Sequence, residues 1–158
     1  MKKKLTILIA VCLAALLITV GIVAHLHNIK AGDLIAPIKN GEKIEKLFTQ
    51  IDNPQISSTL HTEIEDETVI KEVVEKLADC KLSDKGKVSS IPYQEGEFKS
   101  ILIVHFNSKD ARIYLKENGE FYIFENNVYQ KYTCNDSTVT DLYHELFAIT
   151  MSENAPID

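Results

Sequence analysis

Hydrophobic and polar positions divide the chain into four kinds of pattern. Lys2, Lys3 and Lys4 precede an unbroken apolar run from Leu5 to Ala24. Twenty residues at about 1.5 Å each make roughly 30 Å of helix, the thickness of a bilayer's hydrocarbon core. Lysines before the run and few cations after it predict a retained single-pass transmembrane helix. The N-terminus is then cytoplasmic and the C-terminal domain extracellular. A cleaved signal fits less well, because its apolar region is shorter and no small-x-small site follows Ala24.

Beyond residues 28–40, a juxtamembrane linker with Gly32 and Pro37, the period is helical. Ile44, Leu47, Phe48 and Ile51 fall at i, i+3, i+4 and i+7 after Asn40, predicting a helix over 40–51 that Asn53-Pro54 ends. From Gln55 to Ile64 the period drops to two, a polar peripheral strand. Asp66 caps a second helix carrying Val69, Ile70, Val73, Val74 and Leu77. Lys81 to Glu97, with Gly86, Pro92 and Gly96, reads as a long loop. Asp136 or Ser137 caps a last helix with Val139, Leu142, Tyr143, Leu146 and Phe147 on one side, and the tail from Ser152 is frayed.

Between them, Phe98 to Tyr132 reads as a four-stranded antiparallel meander over about 98–107, 110–117, 120–125 and 128–132. Asn118-Gly119 and Asn126-Asn127 suit two-residue type I′ turns, and Ser108-Lys109 is a third turn. Two-residue turns sort the meander's faces. One carries Leu102, Val104, Phe106, Ala111, Ile113, Leu115, Tyr122, Phe124 and Tyr129 and forms the core. The other carries Ile101, Ile103, His105, Arg112, Tyr114, Lys116, Phe121, Ile123, Glu125, Gln130 and Tyr132. On that second face Ile103, Tyr114, Phe121, Ile123 and Tyr132 make an apolar stripe with His105, Arg112 and Glu125 at its rim, Arg112 and Glu125 being cross-strand partners. An apolar centre with such a rim has the composition of a protein-binding hot spot. The competing reading lays the 40–51 helix over this face.

The fold class is thus α+β: a single N-terminal transmembrane helix, then an antiparallel four-stranded meander packed with amphipathic helices. The domains are 1–27 (cytoplasmic lysines and anchor), 28–40 (linker), 41–151 (extracytoplasmic α+β domain) and 152–158 (tail).

Charge narrows the function. The chain has 17 Lys and Arg against 23 Asp and Glu, a net −6; the four lysines of residues 1–30 aside, the rest carries −10. No basic stripe exists, so nucleic acid is excluded as a partner. Glu63, Glu65, Asp66 and Glu67 form an acidic run explained by a helix N-terminus, and His61, His105 and His144 lack metal-ligand spacing, so no metal or cofactor is expected. No Gly-x-Ser-x-Gly elbow or phosphate loop appears, and catalytic residues are not assigned. Cys80 and Cys134 are expected as two semi-buried thiols, with a 54-residue bridge as the alternative.

Ser89-Ser90-Ile91-Pro92, Ile101-Leu102-Ile103-Val104, Ile113-Tyr114, Phe121-Tyr122-Ile123 and Val128-Tyr129, in this order after an anchor, resemble a family of small exported or membrane-anchored domains of Gram-positive bacteria with no assigned function. The resemblance covers about residues 42–148 and implies a bacterial cell-envelope location. The function expected is a membrane-tethered extracytoplasmic binding or regulatory module with a protein or peptide partner, besides the membrane held through residues 5–24. The alternative is an envelope-acting hydrolase with an unrecognised site.

Overall fold

Alternation along short β-branched and aromatic segments builds most of this molecule. The computed structural model describes residues 2–26, 29–53, 58–92, 101–106 and 112–154. Eight strands form one antiparallel sheet: β1 (Ile29–Lys30), β2 (Leu47–Asn53), β3 (Ser58–Ile64), β4 (Lys81–Val88), β5 (Ile101–Phe106), β6 (Arg112–Lys116), β7 (Glu120–Glu125) and β8 (Val128–Cys134). Their spatial order is β1-β4-β8-β7-β6-β5-β2-β3. The helices are α1 (Lys2–Leu26), α2 (Ala36–Lys39), α3 (Glu67–Asp79) and α4 (Thr138–Glu153). A four-stranded meander behind a transmembrane helix was expected; the described residues instead form an eight-stranded antiparallel sheet with four helices.

The N-terminal expectation is corrected. Among the described residues no helix is long and apolar enough to cross a membrane. In α1 the side chains described run from Ile9 to Gly21 and all are exposed. This overturns the expected single-pass anchor, its topology and the cell-membrane localisation that rested on it.

The expected linker instead holds β1, a 3-10 turn at Ala31–Asp33 and α2. Gly32 lets that turn lie against the end of α3: a Cβ there would meet the Ala78 Cα and carbonyl oxygen at 3.0 Å. The expected helix over 40–51 is β2. Leu47 and Ile51 are buried while Phe48 is 37% exposed, so a period of two displaces the helical spacing, and Ile51 pairs with Leu60 on β3. The β3 strand is peripheral, as its polarity predicts. The expected loop over 81–97 begins instead as β4. Leu82 and Ser83 are buried, and a bulge between Asp84 and Gly86, held by the Gly86 N–H to Asp84 Oδ1 at 2.7 Å, breaks the alternation that would have revealed the strand.

Helices α3 and α4 follow their apolar spacing. Asp66 accepts from the Thr68 and Val69 N–H groups and caps α3. Ile70, Val73 and Leu77 from α3 and Val139, Leu142 and Leu146 from α4 pack into one core with Leu47, Val104, Phe106, Ile113, Leu115, Phe121 and Leu82. Thr49 of β2 and Thr150 of α4, both buried, share a hydrogen bond of 2.7 Å and pin this helix to the sheet. A second, smaller cluster of Ile91, Tyr114 and Tyr122, with Val88, Phe124 and Tyr129 against it, lies on the opposite face of the sheet, helix-free among the described residues.

The meander's register departs from expectation in one place. Asn126 and Asn127 adopt positive φ of 52° and 62°, the two-residue turn predicted. The Ser108-Lys109 turn and Ala111 lie outside the described residues, but His105 does pair with Arg112, as that turn requires. At Asn118-Gly119, however, Leu115 pairs with Phe121 and Ile113 with Ile123. The turn is three residues, Glu117 to Gly119, with Gly119 at φ 79° donating its N–H to the Lys116 carbonyl at 3.0 Å. One added turn residue exchanges the two faces of everything after it.

Candidate functional site

That exchange divides the eight residues expected to share a surface. Tyr114, His105 and Arg112 lie on the helix-free face, and Ile103 occupies the register position beside Tyr114. Phe121 and Tyr132, still directly paired, face the helices instead, and Phe121 is fully buried in the core. Ile123 and Glu125 go with them. The opposite number of Arg112 is Phe124, not Glu125.

Register on the helix-free face generates a row that sequence reasoning missed. Phe48, His105, Arg112, Phe124, Tyr129 and Val88 are successive cross-strand partners over β2, β5, β6, β7, β8 and β4. All six are partly exposed. The rings touch: Phe124 and Tyr129 lie 4.6 Å apart between centroids, Tyr129 meets Tyr114 edge-on at 5.3 Å, and the Arg112 guanidinium sits 5.7 Å above Phe124. Burial and the neighbouring Arg112 charge lower the His105 pKa, so that ring is neutral at pH 7. Arg112 is the row's standing charge. The true length of the Glu117–Gly119 turn would have aligned His105, Arg112, Phe124 and Tyr129, whereas Phe48 and Val88 join the row only through the unexpected strands β2 and β4.

The adjoining part of this face is closed. Tyr114 is 7% exposed and Tyr122 fully buried, because Ile91 packs on both. The cover is the segment leaving β4, not the helix expected over 40–51. Below it Glu120 collects the Lys116 ammonium at 2.9 Å, the Tyr122 hydroxyl at 2.8 Å and the Lys131 ammonium. Burial alone would raise this carboxyl, but those three donors hold it down at about 2. Lys116 also donates to the Pro92 carbonyl at 3.3 Å, tying the cover to the cluster.

On the helix side, Ile123, Glu125 and Tyr132 line a cleft of about 350 Å³ with Leu34, Asp84, Lys87 and Gln130. Gln130 and the Gly86 N–H both donate to Asp84. Burial, then the charges of Asp84 and Glu125, pushes the Tyr132 hydroxyl up to about 12, so it holds its proton at neutral pH.

The acidic run has structural partners. Lys46 pairs with both Glu63 and Glu65, and Asp66 is the α3 cap. Among the described residues no three His, Cys, Asp or Glu side chains are grouped to hold a metal ion. Cys80 and Cys134 are free thiols with their sulfurs 3.2 Å apart.

No family model, curated protein or solved structure matches this chain. The resemblance to the Gram-positive domain family gains nothing from these comparisons.

Proposed function

We propose that the domain is a non-enzymatic binding module that takes an acidic, aromatic- or aliphatic-bearing peptide segment of a partner protein on its helix-free face. The carrying observation is the six-strand row from Phe48 to Val88. In a region of net charge −10 this row contains no carboxylate, a standing cation at Arg112 and four aromatic rings counting His105. A carboxylate beside Arg112 and an apolar side chain over Phe48 or Phe124 fit that chemistry, and Arg with aromatic anchors is the usual make-up of a binding centre.

The cleft around Tyr132 supports a catalytic reading less well. Two donors already engage the Asp84 carboxylate, and Tyr132 is protonated at neutral pH.

Fluorescent peptides of one length, pairing Phe or Leu with Glu, test the proposal against the same peptides with Lys for Glu. The acidic set should bind, with an affinity that falls as salt rises. Phe48→Asp and Arg112→Glu should each weaken binding about tenfold or more, with Lys71→Glu on the far side of α3 as a neutral control. Equal binding of acidic and basic peptides, or variants without effect, would overturn it.

A further inference from the structure

Two cysteines 54 positions apart meet where three elements end. Cys80 follows the last residue of α3, Cys134 closes β8, and α4 begins four residues later. The backbone holds the corner together: Ala31 N–H donates to the Cys80 carbonyl at 2.9 Å and Asn135 N–H to the Lys81 carbonyl at 3.1 Å. Within this frame the two thiols differ. Cys80 is 1% exposed, whereas Cys134 is partly exposed beside the start of α4. A bond of about 2.05 Å needs each sulfur to move by only about 0.6 Å from its present place.

We propose that Cys134 and Cys80 form a thiol–disulfide exchange site, with Cys134 the attacking sulfur, Cys80 the resolving one, and a disulfide as the substrate. The Cys134 thiolate attacks one sulfur of the substrate, forming a mixed disulfide and expelling the first substrate thiolate. Cys80 then gives up its proton, which passes to an expelled thiolate, and attacks the Cys134 sulfur. The second substrate thiolate leaves. The substrate disulfide gains two electrons and becomes two thiols, and the protein dithiol loses two and becomes the Cys80–Cys134 bridge. A dithiol reductant reverses the sequence.

The surroundings favour these roles. The hydrogen bond from Cys80 brings the Cys134 thiol down to about 7 against the opposing effect of burial, and the Asp136 and Val139 N–H groups at the head of α4 assist. The same hydrogen bond and burial push Cys80 far above the ordinary thiol range, so it waits as a thiol until Cys134 is consumed.

The test uses the full chain with Cys12→Ser, since Cys12 is the third, exposed thiol, and one equivalent of 5,5′-dithiobis(2-nitrobenzoate) as the disulfide. Two equivalents of thionitrobenzoate should appear, the mass should fall by the two thiol protons, and no adduct should remain. With Cys80→Ser, or Cys80→Ala should serine disturb the buried site, one equivalent should appear and the adduct should stay on Cys134. With both cysteines present the rate of the first step should reach half its plateau near pH 7, and loss of the Cys80 donor should move that midpoint upward. Millimolar dithiothreitol should reopen the bridge in the folded chain. A lasting adduct on Cys134 with Cys80 present, first reaction at Cys80, or a bridge that dithiothreitol opens only after unfolding would each overturn the proposal.

Discussion

Replacing Glu120 by Gln should remove a pH-dependent share of this domain's stability. The carboxylate is 17% exposed and serves two lysines and a tyrosine at once. A carboxyl moved from an ordinary 4.5 to about 2 corresponds to about 3 kcal/mol at neutral pH, and remaining solvent contact trims this to about 2 kcal/mol. Because its folded pKa is depressed, the contribution is complete above about pH 5 and disappears as pH falls through 2. Urea denaturation followed by circular dichroism should therefore show wild type more stable than Glu120→Gln by about 2 kcal/mol at pH 7. The gap should close progressively below pH 4.5. Lys116, with a side chain only 9% exposed, is left without its carboxylate in the variant, so Lys116→Met combined with Glu120→Leu should recover much of the loss. A gap of constant size from pH 7 to pH 2.5 would refute the charged cluster as its source.

Three further substitutions probe other parts of the fold. Tyr114→Asp places a carboxylate under Ile91 and should cost more than about 3 kcal/mol; a melting temperature near wild type would mean the cover does not seal this face. Thr49→Val deletes the buried hydroxyl shared with Thr150 and should cost about 1 kcal/mol by urea denaturation, against no change if the pair is incidental. Gly119→Ala meets only Thr140 Oγ1, at 3.6 Å, so its cost of about 1 kcal/mol should come from the positive φ; an unchanged melting temperature would place the turn in another conformation.

Helices α3 and α4 and the four meander strands were legible because their signals are local. Asp66 and the apolar spacing from Val69 to Leu77 mark a helix without reference to anything distant, and Asn126-Asn127 marks its own turn. The β2 strand was not legible, since Leu47, Phe48 and Ile51 suit either period and only pairing with β3 and β5 decides between them. In β4 the charges of Lys81, Asp84, Lys85 and Lys87 and the bulge concealed a strand that is visible only from Leu82 and Ser83 inward. The candidate site failed for a smaller reason. Reading Glu117–Gly119 as two turn residues rather than three kept Tyr114, His105 and Arg112 in place but moved Phe121, Ile123, Glu125 and Tyr132 to a face they do not occupy.

The strand order also bears on how the chain reaches this structure. The first half supplies β2 and β3 at one end of the sheet and β1 and β4 at the other, and the meander β5 to β8 fills the space between. Phe48 meets His105, and Leu82 meets Cys134, across more than fifty residues of chain. During synthesis β2 must therefore wait with an unpaired edge until β5 has emerged, and β4 until the last strand, β8, has emerged. Such separations slow folding, and waiting edges are the places where another chain can pair instead. Truncations before β8 should consequently accumulate as aggregates rather than as a smaller folded core, and refolding yield should fall steeply with protein concentration.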